Sequence, residues 1–213
     1  MEKKILASAV LLAWVSLYPA SNTPPSGSFK GCAAEGDGAD TQLNVLKNRA
    51  EQASNPKQMT VADVQALPSP SGVEKTPRSH WPPDALAIVV AHEKETVSIE
   101  GYLVAIKQEG LESPNCHDQT LLDHHVWIVD SAGQGKAQSM VVEITPRWGD
   151  VNAGWNQKTI QKLITQKAKF RVTGWLLFDQ EHPEQIGVYR STLWEIHPIT
   201  KIEVFTGGNW REL

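Results

Sequence analysis

Apolar and polar residues alternate along several stretches of the second half of the chain, a period-two pattern typical of half-buried β-strands. In the first stretch, Val97 and Ile99 fall on one face, whereas Ser98 and Glu100 fall on the other. Pro198 interrupts the last stretch, and a strand tolerates proline only at an edge or a bulge. The five predicted strands are 97–105, 126–129, 140–145, 169–177 and 192–205.

One amphipathic helix is predicted between the third and fourth strands, because Ile160 and Ile164 recur at helical spacing within residues 156–167. Three strands, a helix and two strands is the order of the OB-fold, a five-stranded, partly open Greek-key barrel. Gly101 and Gly174 lie where the first and fourth strands of such a barrel bend sharply. The predicted fold class is therefore mainly β and OB-like, and the alternative is another small α+β domain or open barrel with the same order.

The N-terminus has the layout of a secretory signal peptide. A charged head at 1–4 precedes an apolar run at 5–17, and Pro19 and Ala20 follow, with cleavage predicted after Ala20. Because the run is shorter than the roughly 20 residues that span a bilayer, we prefer cleavage to a retained anchor. We therefore expect a periplasmic or extracellular protein without stable membrane insertion.

Residues 21–42 are rich in Ser, Pro, Gly and Asp and therefore predict a flexible linker. Short helical patterns follow at 43–49 and 59–67, and residues 84–92 are apolar enough for a short buried helix or strand. The predicted divisions are a leader at 1–20, a linker at 21–42, a helical extension packed on the barrel at 43–95, an OB-like domain at 96–206 and a tail at 207–213.

The charge balance argues against nucleic acid as the main ligand. The 213-residue chain has a formal net charge of -4 and a pI near 6.0. Residues 97–205 contain ten Lys or Arg against thirteen Asp or Glu. Domains that bind nucleic acid usually show the opposite balance, because they neutralise phosphates.

The chain has two cysteines, Cys32 and Cys116, and they allow two interpretations. An oxidising compartment would let them pair, but this disulfide would have to order the predicted linker. Alternatively, Cys116 is a free or metal-bound thiol. The sequence leaves both alternatives open.

Residues with reactive or charged side chains concentrate in the predicted loops 108–124 and 178–191 and on the strand faces beside them. In an OB-fold, these two loops flank the ligand-binding face. Histidines there suit zinc or copper, although no C-x-x-C or H-E-x-x-H spacing is present. The candidate metal ligands are His117, His125, His182 and His197.

Two further kinds of chemistry fit the same end of the barrel. A thiol beside a histidine and an acid would make a nucleophile, and arginine matches phosphate oxygens, so a metal-dependent hydrolase is one hypothesis. Tryptophans that stack on a ligand indicate a binding surface instead. The catalytic candidates are Cys116, Asp123, Arg147, Asp179 and Arg190. The binding candidates are Trp127, Glu143, Trp148, Trp175 and Glu195.

Several phrases resemble an uncharacterised family of exported bacterial proteins with an OB-fold-like domain. They are LNVLKNR at 43–49, EGYL at 100–103, NCHD at 115–118, HVWIVD at 125–130, VVEITPR at 141–147, RVTGWLLFDQEHP at 171–183 and RSTLWEIHPITKIEV at 190–204. The resemblance implies export and fold but no reaction. The site candidates carried over from it are Cys116, His117, Asp123, His125, Arg147, Asp179, His182, Arg190, Glu195 and His197.

Taken together, the sequence predicts an exported OB-like binding module for a small or polymeric ligand, held at loops 108–124 and 178–191. The alternative is a metal-dependent hydrolase, such as a phosphoesterase, that uses the Cys, His and Asp residues at the same barrel end. Zinc and copper are the candidate cofactors of this alternative.

Overall fold

The computed structural model describes residues 23–213 of the chain. These residues contain seven strands and five α-helices. The predicted leader at 1–20 lies outside the described residues. The strands are β1 (Lys57–Met59), β2 (Thr96–Gln108), β3 (His124–Val129), β4 (Met140–Ile144), β5 (Lys169–Phe178), β6 (Trp194–Thr206) and β7 (Asn209–Glu212). The helices are α1 (Thr41–Lys47), α2 (Val61–Gln65), α3 (Pro83–His92), α4 (Pro146–Val151) and α5 (Gln157–Thr165).

Five of the strands close into a barrel. β3 pairs antiparallel with both β2 and β4, and β5 pairs antiparallel with both β2 and β6. A parallel bridge between Val142 of β4 and Ile196 of β6 completes the ring. This strand order, with α5 between β4 and β5, confirms the predicted OB-like barrel.

The barrel closes because β2 pairs first with β5 and then with β3. Residues 96–102 of β2 lie against β5, and residues 102–108 lie against β3. A Cβ atom on Gly101 would overlap the carbonyl oxygen of Val129, and one on Gly174 would overlap the carbonyl oxygen of Pro198. Both glycines therefore permit close backbone approaches that a side chain would prevent.

The interior of the barrel is apolar and continuous with the packing of the N-terminal helices. Alternate residues of β3, Val126 and Ile128, point inward with Val142 of β4 and Ile196 of β6, and all four are almost completely buried. Val64 of α2 joins the same core. The residues between them point outward, and on β3, β4 and β6 these include the charged side chains of His125, Glu143 and Glu195. No helix within residues 23–213 is long and apolar enough to cross a bilayer.

Several elements differ from the sequence expectation. Lys57–Met59 forms β1 on the parallel edge of β2, so the helix predicted from residue 59 begins only at Val61. Its capping box does form, since Thr60 and Asp63 bond each other's backbone N–H groups. The predicted tail at 207–213 contains β7, which pairs with β6 through a two-glycine turn.

Residues 23–42 of the predicted linker are tied to the barrel instead. Cys32 and Cys116 form a disulfide. Phe29 and Leu121 pack around this disulfide and form a small second core with it. The side-chain amide of Asn48 donates to carbonyl oxygens on both sides of this disulfide. The composition of this segment, which is poor in apolar residues, predicted a flexible linker. The segment is instead held in place by the disulfide and by the buried side-chain amide of Asn48.

Candidate functional site: a buried polar face outside the barrel

The outward face of β3, β4 and β6 carries charged side chains where β-alternation places them. His125 on β3 is paired in register with Glu143 on β4. Glu195 and His197 lie two residues apart on β6, on the face opposite Ile196. Asp123 lies two residues before His125 and so shares its face.

This polar face is buried. The two loops at 109–123 and 179–193 and helix α1 cover it, and the exposed fraction of each of its central side chains is 3% or less. Burial of charge is costly unless the charges are paired. The buried charged residues here are Lys47, Asp123, His125, Glu143, Asp179, Arg190, Glu195 and His197.

One line of ion pairs runs across the strands through Glu143. Nε2 of His125 lies 2.7 Å from Oε1 of Glu143, and Nδ1 of His197 lies 3.1 Å from its Oε2. Nδ1 of His197 is also 3.2 Å from Oε1 of Glu195. At its outer end, Nδ1 of His125 lies 3.3 Å from Oε1 of Glu109. Each imidazole therefore lies between two carboxylates.

A second line of ion pairs belongs to the loop after β5. The two terminal nitrogens of Arg190 donate to Asp179 and Glu195, each at 2.7 Å. Asp179 also lies 2.6 Å from Nδ1 of His182. The His182 ring meets that of His125 edge to face at 5.9 Å between centroids, so the two lines touch there.

Helix α1 contributes a lysine to this buried face. Lys47 is 2% exposed, and its ammonium group pairs with Glu181 at 3.1 Å. Burial lowers the pKa of this lysine, but Glu112, Asp179 and other carboxylates more than reverse the effect and raise it well above its usual value. Lys47 is therefore a fixed positive charge at neutral pH.

The carboxylates hold the histidines in their charged form. Burial would lower the pKa of His125, but Glu143 and Glu109 raise it to about 9. In the same way, burial opposes and Glu143 and Glu195 raise the pKa of His197, to about 10. Burial raises the pKa of Glu143, but the two imidazoles hold it well below its usual range. At neutral pH these three residues form an imidazolium–carboxylate–imidazolium row.

Asp123 and Asp179 behave in opposite ways although both are buried. Burial, together with Glu112 and Glu143, raises the pKa of Asp123 to about 8. For Asp179, burial also raises the pKa, but the hydrogen bond from His182 and the charge of Arg190 hold it far below its usual range. The difference arises because Asp179 has cationic partners and Asp123 has no ion-pair partner among residues 23–213.

One group of three residues brings candidate metal ligands together. Asp123, Glu143 and His197 each offer one ligand atom, and these three atoms lie within 4.8 Å of one another. Carboxylate oxygen and imidazole nitrogen are ligands of zinc and of other divalent transition metals. We refer to these three residues as the carboxylate–histidine group.

A cleft of about 320 Å³ opens onto this polar face beside His125. Its floor is His125 and Trp127, and the residues that complete it come from β2, from the segment before β4 and from the loop after β5. The lining residues are Lys107, Glu109, His125, Trp127, Lys136, Gln185 and Tyr189. We call this the His125 cleft.

The structure brings most of the sequence candidates together on this face and in its cleft. They come from β3, β4 and β6 and from the two predicted loops. The candidates that meet here are Asp123, His125, Trp127, Glu143, Asp179, His182, Arg190, Glu195 and His197.

The hypothesis that Cys116 is a nucleophile or a metal-bound thiolate is wrong. Cys116 is bonded to Cys32, and no cysteine of the described chain is free. A disulfide sulfur has no thiolate lone pair to attack a substrate or bind zinc. The spacing of two cysteines 84 residues apart could not distinguish this outcome from a free thiol.

Four other candidates lie outside this site. His117 forms an exposed ion pair with Asp37. Arg147 donates to Asn48 and to the carbonyl oxygen of Pro25, so it holds the N-terminal segment. Trp148 and Trp175 donate their indole N–H groups to the backbone carbonyls of residues 49 and 51. These hydrogen bonds give the four residues structural roles.

Sequence reasoning missed several residues of the site. Lys47 is part of a short amphipathic helix, and its polarity gave no sign that it would be buried. Glu109 and Glu112 were two acids among many in a predicted loop. Lys136, Gln185 and Tyr189 belong to no recognisable sequence motif. Only the folded structure, in which they line one cleft with Trp127, shows that they are part of the site.

Comparison with known proteins adds little. No family model and no curated protein matches the chain. Among solved structures, the chain is similar to one described as aspartyl tRNA synthetase from Entamoeba histolytica, with 14% sequence identity and a TM-score of 0.31. The match covers 76% of this chain but 27% of that chain, so it spans about a quarter of that protein's length. At this TM-score the similarity carries no argument.

Proposed function

We propose that this protein binds a small anionic ligand that carries hydroxyl groups, and that the ligand occupies the His125 cleft. The observation that carries the proposal is a pair of unmatched donors in one cleft. Nε1 of Trp127 is buried and has no hydrogen-bond partner. The ammonium group of Lys136 forms no ion pair with any carboxylate of residues 23–213 and lies over the Trp127 ring, 3.5 Å from its centroid.

Buried donors are almost always satisfied in folded proteins, and an exception often marks a place for a ligand or a water. An indole N–H and an ammonium group on two residues that line one cleft suit a carboxylate or a phosphate, because charged acceptors form the stronger hydrogen bonds. Oε1 of Gln185 is also buried without a partner, so it can accept a hydrogen bond from a ligand hydroxyl group.

The charge of the cleft supports an anion. Lys107, Lys136 and the imidazolium of His125 give three positive charges, and Glu109 gives one negative charge. Glu109 pairs with Lys107 at 2.9 Å and with His125, which leaves Lys136 as the cation without an acidic partner.

The size of the cleft favours a small ligand over a polymer. Its volume of about 320 Å³ lies at the lower end of the usual range for small-molecule sites. The loops and α1 that cover the polar face of β3, β4 and β6 also occupy the surface on which an OB-fold would hold a longer chain.

An oxidising location fits the same proposal. The predicted leader, the resemblance to an exported family and the Cys32–Cys116 disulfide support a function outside the cytoplasm, where disulfides persist. We therefore include export in the proposal.

The test is calorimetric titration of the full mature chain with inorganic phosphate, glycerol phosphate and acetate. Trp127→Phe removes the N–H and keeps a ring, and Lys136→Gln removes the charge. Each is expected to weaken binding about tenfold or more, since a hydrogen bond to a charged group contributes ~1.5–3 kcal/mol. Lys158→Gln, at an exposed lysine of α5, is the matched control and should bind as the wild type does. Equal affinities for all four proteins would contradict the proposal.

A metal-dependent hydrolase is a second candidate function, although two of the residues that the sequence offered for it are not available. Cys116 is unavailable as a nucleophile, and Arg190 cannot grip a phosphate because Asp179 and Glu195 already occupy its terminal nitrogens. What favours this candidate is the carboxylate–histidine group. Its test is release of nitrophenol from nitrophenyl phosphate with and without added Zn²⁺. No release above that of Glu143→Gln would exclude it.

A further inference from the structure

We propose that Asp123, Glu143 and His197 bind one divalent transition cation, Zn²⁺ or Mn²⁺, beneath the loops that cover the barrel. The three ligand atoms come from the residue before β3, from β4 and from β6, and they lie within 4.8 Å of one another. Two rigid strands thus hold two of the ligands, and such placement suits a preformed site. The proposal is independent of the anion-binding function, because none of the three residues lines the His125 cleft.

Buried polar atoms without a hydrogen-bond partner meet in the carboxylate–histidine group. Oδ1 of Asp123 and Nε2 of His197 are buried and have no hydrogen-bond partner, and Oε2 of Glu143 has only the ion pair with Nδ1 of His197 at 3.1 Å. Buried polar atoms nearly always have a partner, and the two acids and the imidazole are each 1% exposed or less. Two buried atoms without a partner, beside a carboxylate in the same group, suit the binding of a cation.

The orientation of His197 supports this inference. Its Nδ1 lies within hydrogen-bonding distance of Oε1 of Glu195 and 3.1 Å from Oε2 of Glu143, whereas its Nε2 has no partner and would release its proton to solvent on binding the ion. A histidine that binds a metal usually donates its other ring N–H to a carboxylate, which fixes the tautomer and the ring. Glu195 is in turn held by Arg190 at 2.7 Å, so the imidazole has a rigid second support.

The neighbouring cations do not replace the proposed ion. Lys47 pairs with Glu181, and Arg190 pairs with Asp179 and Glu195. Asp123 forms no ion pair with any of residues 23–213. A bound divalent cation would give this carboxylate the partner that the protein does not supply.

The ligand types select the class of metal. Two carboxylates and one imidazole are hard to borderline ligands and suit Zn²⁺ or Mn²⁺. Cu⁺ prefers thiolates and thioethers, and the two cysteines are consumed in the disulfide. Three protein ligands also leave at least one coordination position for water.

The experiment uses the full mature chain after treatment with a chelator, and the probes are Zn²⁺ and Mn²⁺ alone. Isothermal titration is expected to show one bound ion, and elemental analysis after gel filtration should find it retained. Asp123→Asn keeps the shape of the side chain but removes a charged ligand, and it should weaken metal binding about tenfold or more. Phosphate binding in the His125 cleft should be unchanged in this variant.

Asp37→Asn is the matched control, because Asp37 also lies beside a histidine but in an exposed pair. Its metal affinity should equal that of the wild type. Circular dichroism and thermal melting in chelator establish that Asp123→Asn is folded, and His197→Gln provides a second ligand variant. Absence of Zn²⁺ and Mn²⁺ binding by the wild type, or equal binding by Asp123→Asn and the wild type, overturns the proposal.

Discussion

Nη1 of Arg190 lies 2.7 Å from Oδ2 of Asp179, and both side chains are buried to 1% exposure or less. This pair joins the end of β5 to the loop that returns to β6. Because both charges are withdrawn from water, each depends on the other. The loop over the polar face is therefore held by an interaction whose loss deprives a buried charge of one of its partners.

Arg190→Met should destabilise the protein strongly. Removal of one partner from a buried ion pair costs about 3–5 kcal/mol, since the remaining charge stays desolvated. Urea unfolding monitored by tryptophan fluorescence measures the change. Lys30→Met is the control, because Lys30 pairs with Asp150 at the exposed surface and should cost less than about 1 kcal/mol. Similar losses in the two variants would show that the Arg190 pair is not buried in solution.

The ion pair of His182 with Asp179 predicts a dependence of stability on pH. The pKa of His182 is raised: burial opposes this, but Asp179 more than compensates. Folded His182 therefore holds its proton more tightly than the unfolded chain does. Its contribution is complete below the unfolded pKa of about 6.5 and disappears as the pH rises through the folded pKa.

His182→Gln should accordingly lose stability relative to the wild type at about pH 6 and lose little at alkaline pH. Urea midpoints of both proteins across this range measure the effect. His117→Gln, in the exposed pair with Asp37, serves as the control and should follow the wild type. A constant difference between His182→Gln and the wild type at all pH values would contradict the assignment.

The Cys32–Cys116 disulfide should contribute substantially to stability. It joins residues 84 positions apart, and constraint of an unfolded loop of this length corresponds to roughly 4–5 kcal/mol in the chain-entropy model. The double variant Cys32→Ser, Cys116→Ser should unfold at a correspondingly lower urea concentration. Reductant should shift the wild type to the same midpoint and leave the double variant unchanged. Coincident midpoints without reductant would refute the expectation.

Gly174→Ala should destabilise the barrel closure. The added Cβ would overlap the carbonyl oxygen of Pro198 and the side chain of Ile196, so β5 and β6 must separate locally. Overpacking of this kind costs about 1–3 kcal/mol. Gly110→Ala is the control, since a Cβ there meets nothing within 4 Å. Equal melting temperatures of Gly174→Ala and Gly110→Ala would contradict the prediction.

The barrel could be predicted because five strands carry period-two patterns and one helix separates the third from the fourth. β1 and β7 could not, because Lys57–Met59 and Asn209–Glu212 are short and mostly polar and are strands only through pairing at an edge. Proline is tolerated at residue 198 because the register between β5 and β6 shifts there, so that Pro198 lies at a bulge. The pairing of Cys32 with Cys116 depends on tertiary contacts that no local pattern contains.

The site was partly predictable for the same physical reason. Strand alternation placed His125, Glu143 and His197 on one outward face, which is where they lie. Outward in a strand pattern does not mean exposed, however, and the pattern gave no sign that loops and α1 cover them. Lys47 enters the site from a different part of the chain, so only the assembled fold could reveal it.

The Cys32–Cys116 bond also makes residues 32–116 a closed covalent ring. A protease that cuts once at an exposed turn in this ring, such as the one near Gly72, leaves a single molecule of unchanged mass apart from one added water. Such a nicked protein migrates as two fragments only after reduction. Lys47 lies within this ring. After a single cut it therefore remains covalently attached to the barrel whose buried carboxylates it faces.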